Sequence, residues 1–159
     1  MNVIKNFIED SNKFKQLQNF LTGPDFPWFF QNSVAGQGDT KGFYFTHNLF
    51  VNNKSTEYFN SIATPILGRL KFNHLIRVRA NCYVNTGKVD KHKWHVDGPE
   101  NHQVALLSIN NCNGFTEFEN GDKCTSEENK IVLFDGKIKH RSCTQTDEKI
   151  RINININFV

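Results

Sequence analysis

Arg151-Ile152-Asn153-Ile154-Asn155-Ile156-Asn157-Phe158 alternates polar and apolar residues without a break. Successive side chains of a strand point to opposite faces, so this run predicts a strand with two unlike sides. Ile152, Ile154, Ile156 and Phe158 would pack against other elements. Arg151, Asn153, Asn155 and Asn157 would line a cleft. The same texture runs from Leu75 to Asn85, where Ile76, Val78, Ala80 and Cys82 alternate with Arg77, Arg79, Asn81 and Tyr83. Between these stretches lie short runs at Val104 to Ile109, Phe115 to Glu119 and Ile131 to Phe134. Turn signals separate them, Asn120-Gly121 the strongest and Asp135-Gly136 another.

The region before His74 reads differently. Val3, Ile4, Phe7 and Ile8, then Phe14, Leu17, Phe20 and Leu21, recur at helical spacing, so the first 22 residues predict one or two amphipathic helices. Asp10-Ser11 is a capping signal and Gly23-Pro24 a stop. Phe26-Pro27-Trp28-Phe29-Phe30 reads as a short buried aromatic strand, Val34 to Lys41 as a loop and Gly42 to Phe50 as a strand. Ser55 is expected to cap a helix from Thr56 to Phe72 that Pro65 kinks or breaks. The expected architecture is α+β: a helical support region over residues 1–73, and a jelly-roll-like double-stranded β-helix over residues 74–159, in a single domain.

A chain of 159 residues with 15 Phe can bury a substantial core, so a mean hydropathy of −0.53 does not signify disorder. A net charge of +3 is too weak to indicate nucleic acid as a partner. Cys82, Cys112, Cys124 and Cys143 form no CxxC pair and read as reduced thiols. Without an apolar leader or a membrane-length run, the protein is expected to be soluble and cytoplasmic, in the host cytoplasm if phage-encoded.

The chemistry concentrates in His95-Val96-Asp97, with His140 and Arg151 far downstream. His95 and Asp97 are two apart, so on a strand both point to one side. His140 follows the Asp135-Gly136 turn, which can return a later strand beside the first. Two imidazoles and one carboxylate are the donor set of a facial triad, which suits Fe(II) and leaves coordination positions open. Arg151 opens the polar face of the closing strand, where a cation is costly unless it meets an anion. Arg141 and Lys149 compete for that role; Arg141 should face away from the metal, and Lys149 lies in a polar turn region. Tyr83 and Asn81 share a face near the site, to complete a co-substrate pocket or to pack across strands. His92 and His102 flank the site and are expected in solvated loops. Lys88, Lys91 and Lys93 line an entrance or form a solvated stretch.

Arg79-Ala80-Asn81-Cys82-Tyr83, Lys91 to Asp97, Asn113 to Phe118, Asn129 to Asp135, Lys139 to Ser142 and Asp147 to Asn155 together resemble the Fe(II)- and 2-oxoglutarate-dependent dioxygenases. The chain is most similar to the small prolyl-4-hydroxylase-like group, which includes short phage-encoded members. The resemblance covers residues 75–159 well and Phe26-Pro27-Trp28 loosely. It implies a double-stranded β-helix, with iron on His95, Asp97 and His140. It implies 2-oxoglutarate chelating the iron, with its distal carboxylate on Arg151 and help from Tyr83. It further implies consumption of O2, release of succinate and CO2, and hydroxylation of a substrate. Two positions depart from the pattern: many prolyl hydroxylases carry lysine where this chain has Arg151, and a common glycine pair is here Gly114-Phe115. The expected substrate is a protein or peptide side chain. A free amino acid or small metabolite is the alternative within the enzyme class, and a non-oxidative cupin-like binder the alternative outside it.

Overall fold

The computed structural model describes residues 1–34, 42–98 and 101–159. All but the first residue of the expected Val34 to Lys41 loop lie outside the described residues. In chain order the elements are β1 (Asn2–Ile4), α1 (Ser11–Thr22), β2 (Phe29–Gln31), β3 (Tyr44–Val51), β4 (Lys54–Ser55), α2 (Phe59–Leu67) and β5 (Leu75–Val84). Then come β6 (Gln103–Ser108), β7 (Cys112–Phe118), β8 (Lys123–Ser126), β9 (Lys130–Asp135), β10 (His140–Cys143) and β11 (Ile150–Phe158).

The strands form two antiparallel sheets. The larger has the order β1-β9-β6-β11-β5-β3-β2, with β4 attached to β3; the smaller has the order β10-β7-β8. Bridges Lys91↔Cys143 and His95↔His140 lay residues 91–95 along the free side of β10 as a further rail of the smaller sheet. From β5 onward the chain therefore winds back and forth between the sheets, which is a double-stranded β-helix. Gly121, at φ +91, makes the β7–β8 turn that Asn120-Gly121 predicts.

The expected two-sidedness of β11 holds. Ile152, Ile154 and Ile156 are fully buried in the main core, with Val78 and Ala80 of β5 and Ala105 and Leu107 of β6. Phe14, Leu17 and Leu21 of α1 and Ile62, Ala63 and Ile66 of α2 complete that core. The helices thus cover the outer side of the larger sheet. Each valine, leucine, isoleucine or phenylalanine among them contributes about 1.5–3 kcal/mol on burial, and each alanine less. The inner side faces the smaller sheet, with an apolar cluster of Val104, Leu106, Phe118, Val132 and Phe134 at one end.

The support region is less helical than expected. Asn2–Ile4 is a strand, because its backbone pairs with Ile131–Leu133 of β9, an edge otherwise left open. Asn6, at φ 51, then turns the chain, and Phe7 and Ile8 enter the core. The Asn129 side chain fixes that entry, accepting from Ile8 N at 2.8 Å and donating to Ile8 O at 2.9 Å. α1 begins where Asp10 caps it, its carboxylate accepting from the amides of Asn12 and Lys13. Ser55 does not cap a helix. It belongs to a β3–β4 hairpin whose turn residues Asn52 and Asn53 sit at φ 52 and 57, as a type I′ turn requires. That hairpin displaces the start of α2 to Phe59, and Pro65 lies inside a helix that ends two residues later. Phe29 and Phe30 are 56% and 59% exposed, not buried; only Phe26 of that aromatic run is in the core. Among the described residues no helix is long and apolar enough to cross a membrane.

Candidate metal and carboxylate-binding site

His95 and His140 are locked together by the backbone. The amide of each donates to the carbonyl of the other at 3.0 Å, so their rings lie side by side with centroids 4.5 Å apart. Asp97 completes the group: His95, Asp97 and His140 place their ligand atoms within 4.8 Å of one another. His95 Nε2 lies 3.6 Å from Asp97 Oδ1, and His140 Nε2 lies 3.7 Å from Asp97 Oδ2. The other ring nitrogens are spoken for. Nδ1 of His95 meets Lys93 O at 3.2 Å, and Nδ1 of His140 meets Ile138 O at 3.0 Å. A carbonyl only accepts, so each Nδ1 carries the proton and each Nε2 presents its lone pair to the shared point. The donor set fits a divalent transition metal, two imidazoles and a carboxylate on one side of an open cavity.

Neighbours prepare the carboxylate. Burial alone would push Asp97 up, but His95, His140, Arg77 and Asn155 together hold it well below the usual carboxylate range. Asn155 Nδ2 donates a short hydrogen bond to Asp97 Oδ2, and Arg77 Nη2 lies 3.5 Å from Oδ1. Burial pushes His140 down, which favours its neutral form; in His95 burial acts the same way, but the Asp97 carboxylate outweighs it and raises the ring's pKa. Sequence reasoning gave neither Arg77 nor Asn155 a role, although both occupy the polar faces it identified.

Arg151 lies deeper. It is 1% exposed, and among the described residues no carboxylate pairs with it. Nη2 donates to Thr116 Oγ1 at 3.0 Å, Nη1 reaches Cys143 O at 3.4 Å, and Nε has no partner. The guanidinium sits 5.4 Å from the centre of the Tyr83 ring. A Cβ on Gly114 would come within 2.7 Å of Arg151 Cδ, so the glycine in the departing Gly114-Phe115 pair makes room for the arginine. Tyr83 is stacked between Tyr44 and His92, at centroid distances of 5.4 and 5.8 Å. Burial pushes its phenol up to about 12, so it remains a neutral donor at physiological pH. Asn81 donates to Asn153 Oδ1 at 2.9 Å. A cavity of about 320 Å³ between the sheets touches Asn81, Tyr83, Asp97, Thr116, His140 and Asn155. Arg151 stands just behind that wall, through its hydrogen bond to Thr116.

The competing cations face elsewhere. Arg141 pairs with Glu117 at 2.6 Å and covers the Trp94 ring at 4.2 Å, away from the His95–Asp97–His140 group as the strand phase requires. Lys149 is exposed. Lys91 pairs with Glu117 and Lys88 with Asp90. His92 and His102 are not in solvated loops; they are 2% and 1% exposed. Their rings fill space left by glycines, since a Cβ on Gly42 would come within 2.7 Å of the His92 ring and one on Gly136 within 2.0 Å of the His102 ring.

Neither a protein-family model nor a curated protein matches the sequence. Solved structures do match the fold. A prolyl hydroxylase from Trichoplax adhaerens, in complex with a hypoxia inducible factor oxygen degradation domain peptide fragment, superposes with a TM-score of 0.67 at 15% identity, over 99% of this chain and 82% of the other. An oxidoreductase of the 2OG-Fe(II) oxygenase family from Burkholderia pseudomallei gives 0.63 at 8% identity, over 98% and 84% of the two chains. A Pseudomonas putida prolyl-4-hydroxylase gives 0.59 at 12% identity, over 99% and 91%. Across nearly its whole length, the chain has the double-stranded β-helix fold of the 2-oxoglutarate-Fe(II) oxygenases, prolyl hydroxylases among them.

Proposed function

We propose that this chain is an Fe(II)- and 2-oxoglutarate-dependent oxygenase that hydroxylates a protein or peptide side chain. The observation that carries the reading is a fully buried Arg151 with no acidic partner among the described residues, just behind the wall of the cavity that His95, Asp97 and His140 line. A buried cation without a counter-charge is costly. A dicarboxylate co-substrate supplies that charge, and a mere metal binder has no use for it. His95, Asp97 and His140 would hold the iron, with Asn155 and Arg77 orienting the carboxylate. Iron held there would supply oxygen activation coupled to decarboxylation of 2-oxoglutarate to succinate and CO2. Arg151 receives the distal carboxylate as a fork, Thr116 holds the guanidinium in place, and Tyr83 walls the pocket with a neutral hydroxyl.

A peptide is favoured over a free metabolite by one observation. A second cavity of about 520 Å³ is lined by Phe29, Gln31, Asn48 and Tyr58, and its Asn48 accepts at 2.6 Å from Nε of Arg79, which lines the first. An extended substrate has somewhere to lie beyond the metal.

The test is anaerobic calorimetry of 2-oxoglutarate on the Fe(II)-loaded protein, followed by admission of air and quantification of succinate. Binding, then slow succinate release without further substrate, is expected. His95→Ala, Asp97→Ala and His140→Ala should each lose most of the iron with the circular dichroism spectrum retained. Absence of 2-oxoglutarate binding to the iron-loaded protein would hand the reading to a cupin-like binder.

A further inference from the structure

The cavity holds a second cation that the metal and co-substrate do not use. On β5, Arg77 and Arg79 occupy successive inward positions, about 6.6 Å apart along the strand, and both line the cavity. Arg77 has its acid, Asp97, at 3.5 Å. Arg79 has none among the described residues. Its Nε donates to Asn48 Oδ1 at 2.6 Å, which fixes the plane of the guanidinium and leaves both Nη groups available. Arg79 is near enough to Arg77 to repel it, and Asp97 offsets that repulsion from the Arg77 side alone.

Register places Arg79 level with the Asp97 end of the site, four residues along β5 from the level of Arg151. Arg151 stands opposite Tyr83, and Asn155, which holds Asp97, stands opposite Arg79. Tyr83 and Arg79 are four residues apart on one strand, about 13 Å. A co-substrate reaching from the metal towards Arg151 therefore runs away from Arg79, whose Nε meets Asn48, a residue that lines the second cavity.

We infer that Arg79 is a specificity residue that binds a carboxylate on the hydroxylated substrate, so this substrate is acidic close to its reacting carbon. The inference rests on the oxygenase reading. The carboxylate has two sources, an acidic side chain in a peptide or the free acid of a small molecule.

Equilibrium dialysis of the anaerobic Fe(II)·2-oxoglutarate complex, read by mass spectrometry, tests it. The probes are pools of capped hexapeptides with one fixed Glu or one fixed Gln, and free amino acids beside their amides. A charge-assisted hydrogen bond predicts retention of the acidic members about tenfold or more above their neutral twins. Retention of the Glu pool identifies a peptide substrate; retention of free acids alone identifies a metabolite. Arg79→Gln should abolish the preference and Arg79→Lys should keep part of it, with iron content and 2-oxoglutarate affinity retained in both. Equal retention of acids and neutral twins by the wild type overturns the inference. So does a preference that survives in Arg79→Gln, or a loss of 2-oxoglutarate binding in that variant, which would assign Arg79 to the co-substrate. A wild type that binds no 2-oxoglutarate fails the oxygenase reading separately, and the acid preference is still read on the metal-loaded protein.

Discussion

The two faces of the larger sheet are built from alternate residues of the same strands and are almost equally buried, yet they behave as different materials. On β11, Ile152, Ile154 and Ile156 are fully buried, and Arg151, Asn153, Asn155 and Asn157 are no more than 7% exposed. The outer residues meet hydrocarbon from the helices. The inner ones meet a polar network that is left incomplete among the described residues: Arg151 has no acid there, and both amide atoms of Asn157 lack a hydrogen-bond partner. Burial alone therefore does not mark a core. A face that is buried, polar and unsatisfied forgoes stability that its neighbour one residue away contributes, and such a face is where ligands are to be sought.

The sharpest way to break this contrast is to make the outer face resemble the inner one. Ile154→Asn should cost about 4 kcal/mol or more, the sum of a lost aliphatic side chain and a stranded amide, measured by denaturant unfolding. A loss below about 1 kcal/mol would mean that the helices do not seal that face. The reverse exchange sharpens the comparison. Arg151→Met keeps the stem and removes the charge. It should hold or raise the melting temperature, because the cation has no acid among the described residues, and weaken 2-oxoglutarate binding about a hundredfold or more. Calorimetry and thermal unfolding on one preparation separate the two effects, and a variant that loses stability but keeps the affinity would make Arg151 structural. The smallest effect belongs to a residue that touches a ligand residue. Asn155→Ala removes the amide that orients Asp97 and should lower metal affinity about ten- to hundredfold. Chelator competition measures it, with unfolding as the control.

The alternation of β5 and β11 was legible because a sheet with one apolar and one polar face writes its period directly into the sequence. The meeting of His95, Asp97 and His140 was legible because two of them sit on one short segment and the third follows a turn that reverses the chain. What the sequence hid depends on partners distant along the chain. Asn2–Ile4 has a helical pattern, but the open edge of β9 claims it as a strand. Ser55 is a good helix cap, but Asn52-Asn53 can adopt the two positive φ values of a hairpin turn. His92 and His102 look like loop histidines until Gly42 and Gly136 are seen to leave room for their rings. Arg77 and Asn155 acquire a purpose only when register sets them beside Asp97.

β11 lies between β5 and β6 in the larger sheet, yet follows every other strand in chain order. β5 and β6 therefore cannot find their shared neighbour until the rest of the β-helix has been made, and each waits with an open edge. The sheet cannot grow strand by strand as the chain emerges; it closes in a single late insertion, and that insertion also delivers Arg151 and Asn155. Such dependence on long-range pairing predicts slow folding and an aggregation-prone interval before closure. It also means that a partly folded chain lacks the pocket proposed for the co-substrate, so binding competence and completion of the fold should arrive together.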